Sequence, residues 1–537
     1  MKLIRLAIRN HSRVADVAIS IREHLVLVGA NDVGKSSILR CLQLALGAST
    51  AQLYAQISAE DFRATDAEFV IEAQLEEFSA DDQAAFPDEI KIDPASGVAS
   101  LTVRLSVTID DSDTLNIDRI AVGSGTRRQL SRLQLEQIGW RFLGATSQAR
   151  ELRDDRRSAL TELLAAVDLG SEKQTFEAAV ARLATVLDES TAMETVRGDL
   201  AGQLSKALPN AIATGDLAFV PGSAADADVL SGVRLQVQKD GALRDLTAQS
   251  DGTRALYAIA LYDLTSSGAN VVGIDEPEIH LHPTSQRSLA RLLKASPNQK
   301  VVATHSPDVV GAFDPDSIVV VHAGGVVVQP GAGFLAADER MAIRWWVRDR
   351  LEPLTARRVV AVEGIADRII VERAAELTNR TLDRLGIALV ETNGAGDMGA
   401  INTLFGSNGF KVPLSMLIDA DAEVATAAKL GVAVADLNAS FVWVSKVDLE
   451  DEYVRAIGPA AMQAALDQSS LFSSNQMTAL TPSGVGGTWT QDDVATFCRS
   501  KKNKVNAALV AAPLLDEDMA RAMDSVNGLL TQAEGAL

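Results

Sequence analysis

Apolar positions along the chain change period several times, and each change predicts an element. KLIRLAIR alternates polar and apolar residues, and HLVLV is a short continuous apolar run. A Gly-rich turn and the helical spacing of SILRCLQLAL follow, so residues 1–45 read as two short strands, a turn and a helix. Between 67 and 125, EFVIEAQLEEF and VASLTVRLSVTI alternate apolar residues and flank the turn-rich FPDEIKIDPASG, which predicts an antiparallel sheet. From about 130 to 210 the spacing becomes helical, as in SALTELLAAV and FEAAVARLATVL, which predicts a helical insertion. Strands are predicted again at about 233–238, 270–275, 300–304 and 317–328, and RWWVRDRLEPLTA (344–356) reads as a helix and linker. Beyond it, the runs RRVVAVEG, IALVETNG, VPLSMLIDAD and FVWVSKVD alternate with helices, the pattern of a small α/β domain with a mainly parallel sheet. Residues 460–537 read as mostly helical.

Length and charge sharpen this picture. A chain of 537 residues exceeds what one core supports. Aromatics make up only 4%, so the cores must be built from Ala, Val, Leu and Ile. Cys41 and Cys498 stand alone, which excludes a disulfide framework and a cysteine zinc site and fits a reducing compartment. No apolar stretch approaches the ~18–20 residues that cross a bilayer, and MKLIRLAIRN has no apolar core of a signal peptide. The expectation is a cytoplasmic protein with no membrane partner. Net charge is −21, which argues against nonspecific coating of nucleic acid but permits a local basic groove or a metal-bearing acidic site.

Residues 29–36, GANDVGKS, match G-x-x-x-x-G-K-[ST] between an apolar strand and a helix. In such a loop Gly29 and Gly34 let backbone N–H groups wrap a phosphate, Lys35 reaches the β/γ-phosphates, and Ser36 offers a hydroxyl to Mg²⁺. Asn31 and Ser37 complete the expected ATP-binding set. Downstream, VVGIDEPEIHLHP ends a strand at Asp275 and Glu276; the first acid suits Mg²⁺ and the second suits the attacking water. VVATHSP ends another strand at His305, and LTAQSDGTRALYAIAL (246–261) opens a helix at a Ser-Asp-Gly turn. At these residues the chain resembles the ABC-type ATPases. The resemblance implies that Glu276 is catalytic, that His305 is the switch histidine, that Ser250, Asp251 and Gly252 form the signature loop, and that two subunits sandwich ATP. Gln56 is the candidate for the glutamine loop. His280 and His282 are read as structural or interfacial rather than as a metal pair.

The second domain carries a different constellation. RVVAVEGIAD places Glu363 at a strand tip and Asp367 in the first turn of the next helix. MLIDAD adds Asp419 and Asp421, two apart and so expected on one strand face; VSKVDLEDEY adds Asp448, Glu450, Asp451 and Glu452. Parallel strands bring such ends to one rim, and converging carboxylates repel without cations, so Mg²⁺ or Mn²⁺ is expected there. E-G-x-x-D followed by D-x-D at strand ends resembles the Toprim domain of topoisomerases, primases and a group of nucleases. No tyrosine-bearing nucleophile domain and no zinc module accompany it, which favours metal-dependent hydrolysis. An ABC-type ATPase followed by Toprim resembles the OLD (overcoming lysogenization defect) family of nucleases, through DEPEIHLHP, THSP, VEGIAD and IDAD.

That resemblance implies an α/β architecture of two parts: an ABC-type ATPase over 1–345, with a helical dimerisation insertion at about 130–215, and a Toprim domain with C-terminal helices over 346–537. It implies an ATP-regulated, metal-dependent DNA endonuclease with a role in phage defence or DNA repair. Glu363, Asp367, Asp419, Asp421 and Glu450 or Glu452 would be the ligands, holding two cations about 4 Å apart. A lysine of CRSKKNKVNAAL would stabilise the phosphate, Lys504 first and Lys502 second. The implied partners are DNA, a second copy or a larger homo-oligomer, and in some members a separate helicase-like protein. The alternative is an ATP-driven DNA clamp or repair scaffold whose Toprim domain does not cut.

Overall fold

The structure is a computed structural model that describes residues 1–110, 114–122, 128–144, 173–221, 233–239, 241–245, 249–265, 268–334, 351–392 and 398–535. SALTELLAAV of the predicted insertion, residues 344–350 of the predicted linker helix and residues 246–248 lie outside them. The chain forms two compact units, one built on Met1–Val328 and the other on Gln329–Phe334 with Arg350–Leu537.

Among the described residues, the first unit contains two large sheets. One runs in the order Val326–Val328, Ile318–His322, Leu25–Val28, Gln299–Thr304, Val271–Asp275, Trp140–Leu143, and is parallel except at its first pair. Its central strands are buried along their whole length, which is why they read as continuous apolar runs. The other sheet is antiparallel: Val17–Ser20, Lys2–Arg9, Phe69–Glu76, Ala99–Ile109 and Lys91–Ile92, with Leu115–Ala121 also on Ala99–Ile109. Its strands alternate buried and less buried residues, as one solvated face requires. Helix Lys35–Leu42 and the wide turn Gln43–Gly47 share one core with both sheets. A second core joins helices Thr191–Ala207, Asp251–Thr265 and Pro283–Ala295 to the parallel sheet.

Three sequence expectations are corrected here. Residues 1–45 hold three strands, because Leu25–Val28 follows two others. Residues 317–328 are two strands turning through Gly324 and Gly325, both at positive φ. Within the predicted helical insertion, Trp140–Leu143 is an edge strand of the parallel sheet, paired with Val271–Ile274. Helices Lys173–Glu189 and Thr191–Ala207 do occupy its later part, beside a three-stranded sheet of Leu217–Pro221, Val233–Lys239 and Ala242–Asp245.

The second unit has four described strands in the order Ile387–Glu391, Arg358–Val362, Leu414–Asp419, Val442–Ser445, all parallel. Asp419 stands opposite Ser445 in the register, so the strand ends form a common edge. Helices after each strand cover the sheet, and the helices from Leu449 to the C-terminal region complete a core rich in Ala, Val and Leu. Among the described residues no helix is long and apolar enough to cross a membrane.

Candidate functional site

In the first unit the P-loop links Leu25–Val28 to helix Lys35–Leu42. Gly34 caps the helix at φ 110°, a backbone that side chains disfavour. Lys35 is buried, and its ammonium donates to the carbonyls of Gly29 at 2.9 Å and Ala30 at 2.7 Å. Ser36 donates its hydroxyl to Asp275 Oδ1 at 3.1 Å, so the loop and the end of strand Val271–Asp275 meet. Burial, above all, raises the Asp275 carboxyl, with the neighbouring Glu276 adding to it. Gly29 is buried, Asn31 is exposed and Ser37 is partly buried on the same loop and first helical turn.

Glu276 adopts φ 46°, a left-handed conformation that costs a non-glycine residue roughly 1 kcal/mol or more and must be held by its surroundings. Its N–H donates to the Ala303 carbonyl at 2.8 Å, which ties it to the strand that leads to His305. His305 Nδ1 lies 3.9 Å from Glu276 Oε1 and 3.3 Å from Glu278 Oε1. Glu278 is the residue that sequence reasoning missed. It is buried and accepts from the Thr304 hydroxyl at 2.7 Å and the His305 N–H at 2.8 Å, fixing the end of that strand. The acids of DEPE at 275, 276 and 278 were the available signal.

Ser250, Asp251 and Gly252 open helix Asp251–Thr265, with the Ser250 hydroxyl 2.9 Å from that of Thr253. A side chain at Gly252 would come within 2.6 Å of the His280 carbonyl oxygen, so this turn packs closely on the DEPEIHLHP loop. His282 caps helix Pro283–Ala295 through its ring nitrogen, which gives it a structural role. Gln56 is exposed at the end of a short helix, and its carbonyl accepts from Arg40.

In the second unit the acids gather at the strand edge. Glu363 follows Arg358–Val362, and its Oε1 accepts the Asp419 N–H at 3.2 Å. Asp367 turns back to accept the Gly364 N–H at 2.9 Å, capping helix Ile365–Leu377. Asp419 Oδ1 accepts the Leu449 N–H at 3.2 Å, which brings the next helix and Glu450 to the same place. Lys504, at the start of helix Lys504–Ala511, sits among them: its ammonium is 3.8 Å from Asp367, 3.7 Å from Asp419 and 3.5 Å from Glu450.

The electrostatics of this cluster are strained. Burial pushes Asp367 and Asp419 up to about 6 and Glu450 up to about 7; neighbouring carboxylates add to burial, while Lys504 opposes both. Glu363 is raised for the same leading reason. Burial works against the charge on Lys504, yet Asp367, Glu450, Asp419 and Glu363 hold its pKa above the ordinary value. Oδ1 of Asp367 and Oε2 of Glu450 are buried with no hydrogen-bond partner among the described residues. Oxygen-rich donors of this kind suit a hard divalent cation. Among the described residues, however, no three His, Cys, Asp or Glu side chains stand ready-placed to hold a metal, because the acids surround the Lys504 ammonium.

Not every expected acid joins. The strand ends at Asp419, and Ala420–Ala422 is a helical turn, so strand alternation does not relate Asp419 and Asp421. Asp421 is exposed, although its charge still reaches Glu363. Glu452 turns away from Glu450 around their shared helix and accepts the Ser525 N–H at 3.2 Å. Asp448 caps that helix through the Asp451 N–H at 2.7 Å and meets Arg499 Nε at 2.6 Å, a partner the sequence reading did not single out. Lys502 is exposed on the preceding turn, outside the cluster. Tyr453 is buried in the core.

Comparison with known proteins gives two family matches. Residues 25–311 match the family described as "AAA domain, putative AbiEii toxin, Type IV TA system". Residues 354–421 match "Overcoming lysogenization defect protein-like, TOPRIM domain". An OLD nuclease of Thermus scotoductus is 26% identical over 73% of this chain and 77% of its own. Endonuclease GajA of Bacillus cereus is 24% identical over 29% of each chain. Among solved structures, the C-terminal region of a Xanthomonas campestris pv. campestris OLD protein is 22% identical, with a TM-score of 0.29, covering 34% of this chain and 95% of that one.

Proposed function

Since the chain belongs to the OLD family, with a P-loop AAA-class ATPase domain followed by a Toprim domain, we propose that it is an ATP-binding, divalent-metal-dependent DNA endonuclease. The observation that carries the reading is the meeting of Glu363, Asp367, Asp419 and Glu450 around Lys504 at one strand edge. Glu363, Asp367, Asp419 and Glu450 would hold a cation, with Asp421 at the rim. A bound Mg²⁺ or Mn²⁺ supplies Lewis-acid polarisation of a phosphodiester and a more acidic water. Lys504 offers a positive charge to the anionic phosphate as negative charge accumulates on it. Gly364 N–H and Leu449 N–H hold the carboxylates of Asp367 and Asp419 in place.

In the ATPase unit, Lys35 and the P-loop amides bind the phosphates, and Ser36 with Asp275 forms the Mg²⁺ pair. Glu276 orients the attacking water, and His305, held by Glu278, senses the γ-phosphate. The signature turn at Ser250–Gly252 is assigned to ATP carried by a second copy. The proposed setting is phage defence or DNA repair, and the names of the nuclease relatives support a nucleic-acid substrate.

The placement of Lys504 favours one rival: its ammonium partly neutralises the acids, as a non-cleaving DNA clamp would allow. Purified protein incubated with supercoiled plasmid in Mg²⁺, Mn²⁺ or EDTA, beside D419A, separates the two. Nicking that needs metal and disappears in D419A supports the nuclease. DNA retention with no cleavage under any metal or nucleotide condition supports the clamp.

A further inference from the structure

At the far end of the P-loop helix, a cleft of about 790 Å³ is lined by Arg119, Arg132, Arg141, Glu136, Trp140 and Leu130 among others. None of these residues belongs to either site above. Arg119 is only 3% exposed, yet it lines the cleft. Its Nη1 donates to the carbonyls of Ala48 at 2.5 Å and Leu44 at 3.4 Å, and its Nε has no hydrogen-bond partner among the described residues. Burial alone accounts for its lowered pKa, so no acid among the described residues offsets its charge. A buried guanidinium without a counter-charge is costly, and proteins supply one where they keep such a group.

The rim adds to the imbalance. Arg132 is highly exposed and, among the described residues, pairs only with Glu136, at 2.8 Å, a surface contact of small worth. Arg141 is exposed on the edge strand. Three guanidiniums against one carboxylate leave the lining at a formal +2, in a chain whose total is −21. Guanidinium forks match phosphate oxygens in pairs, and a phosphate monoester carries about −1.5 to −2 charges near neutral pH. Trp140, Leu130 and Leu135 provide an apolar wall for the remainder of such a molecule.

We propose that this cleft is a second anion site of the ATPase unit, which takes a small phosphorylated molecule on Arg119 with Arg132 and Arg141 closing over it. Pyrophosphate is the probe, titrated by calorimetry in EDTA into full-length K35A protein, whose P-loop no longer competes. One equivalent should bind per chain, and R132Q/R141Q should weaken it by about tenfold or more, since two charge-assisted contacts are lost. Arg119 also anchors the Leu44 and Ala48 carbonyls, so the rim variant is the primary readout, with R119K expected to weaken binding in the same direction. In wild-type protein two classes of pyrophosphate site are expected, of which the rim variant removes one. No binding to K35A, or binding indifferent to both arginine variants, overturns the proposal. Rim-dependent binding of a short single-stranded oligonucleotide lacking terminal phosphates, with none of pyrophosphate, overturns the small-molecule assignment.

Discussion

The side chains of the acidic cluster set a sign that can be checked. Asp367 and Asp419 titrate at about 6 and Glu450 at about 7, chiefly through burial, whereas unfolded carboxyls titrate near 4. Between those limits the folded protein holds protons that the unfolded chain has released, so stability falls as pH rises from about 4 to about 7. The shift on Lys504 acts only far above that window. In EDTA the unit should therefore melt at a higher temperature at pH 5 than at pH 7.5, and E450Q should lose part of the difference. Comparison with the variant cancels titrations elsewhere, such as His11, which burial lowers to about 4. Calorimetric curves for wild type and E450Q that shift in parallel with pH would refute the account. The same geometry separates two glutamates that the sequence left as alternatives. E450Q should cut metal-dependent cleavage by about a hundredfold or more, as loss of a group at the reacting centre does, whereas E452Q should leave it within about threefold. The meeting of Lys504 with Glu363, Asp367 and Asp419 was legible because each sits at a strand or helix end with a motif around it. Glu452 was not separable from Glu450, because helix phase depends on where the helix starts, and Asp448 as its cap fixes that start. Glu278 stayed hidden because an acid three residues past a strand end looks like a solvated loop residue until its partners are known.

Elements were easiest to read where one period runs long. The antiparallel sheet and the buried parallel strands announced themselves through alternation and continuous apolar runs, respectively. The strand Trp140–Leu143 did not, because four residues between helical segments carry too little periodicity; pairing with Val271–Ile274 and burial of Trp140 and Leu143 stabilise them. That pairing explains Gly273. A side chain there would lie 2.6 Å from Trp140 Cη2, so the central strand stays bare to admit the indole of its neighbour. G273A should destabilise the first unit by about 1–3 kcal/mol through overpacking, measured by urea unfolding. In a W140A background the same substitution should cost far less, because the clash is gone; equal costs in both backgrounds would refute the packing argument.

At the scale of the whole molecule, the order of motifs was legible from end to end, while the unit boundary was less so. Gln329–Phe334 groups with the second unit although it precedes the predicted linker, because Phe334 packs edge-on against Phe410 with ring centroids 5.8 Å apart. Each unit has its own apolar core and its own candidate ligand: nucleotide on the P-loop, and divalent cation on the acidic edge. A ligand stabilises only the fold it binds, by about 2.7 kcal/mol at one hundred times its Kd. A calorimetric scan should therefore resolve two responses. A non-hydrolysable ATP analogue with Mg²⁺ should raise one transition in wild type and D419A but not in K35A. Mn²⁺ without nucleotide should raise the other in wild type and K35A but not in D419A. Loss of both responses in either single variant would mean that the units do not respond independently. The assignment of one ligand to each core would then fail, whatever the cleavage assay shows.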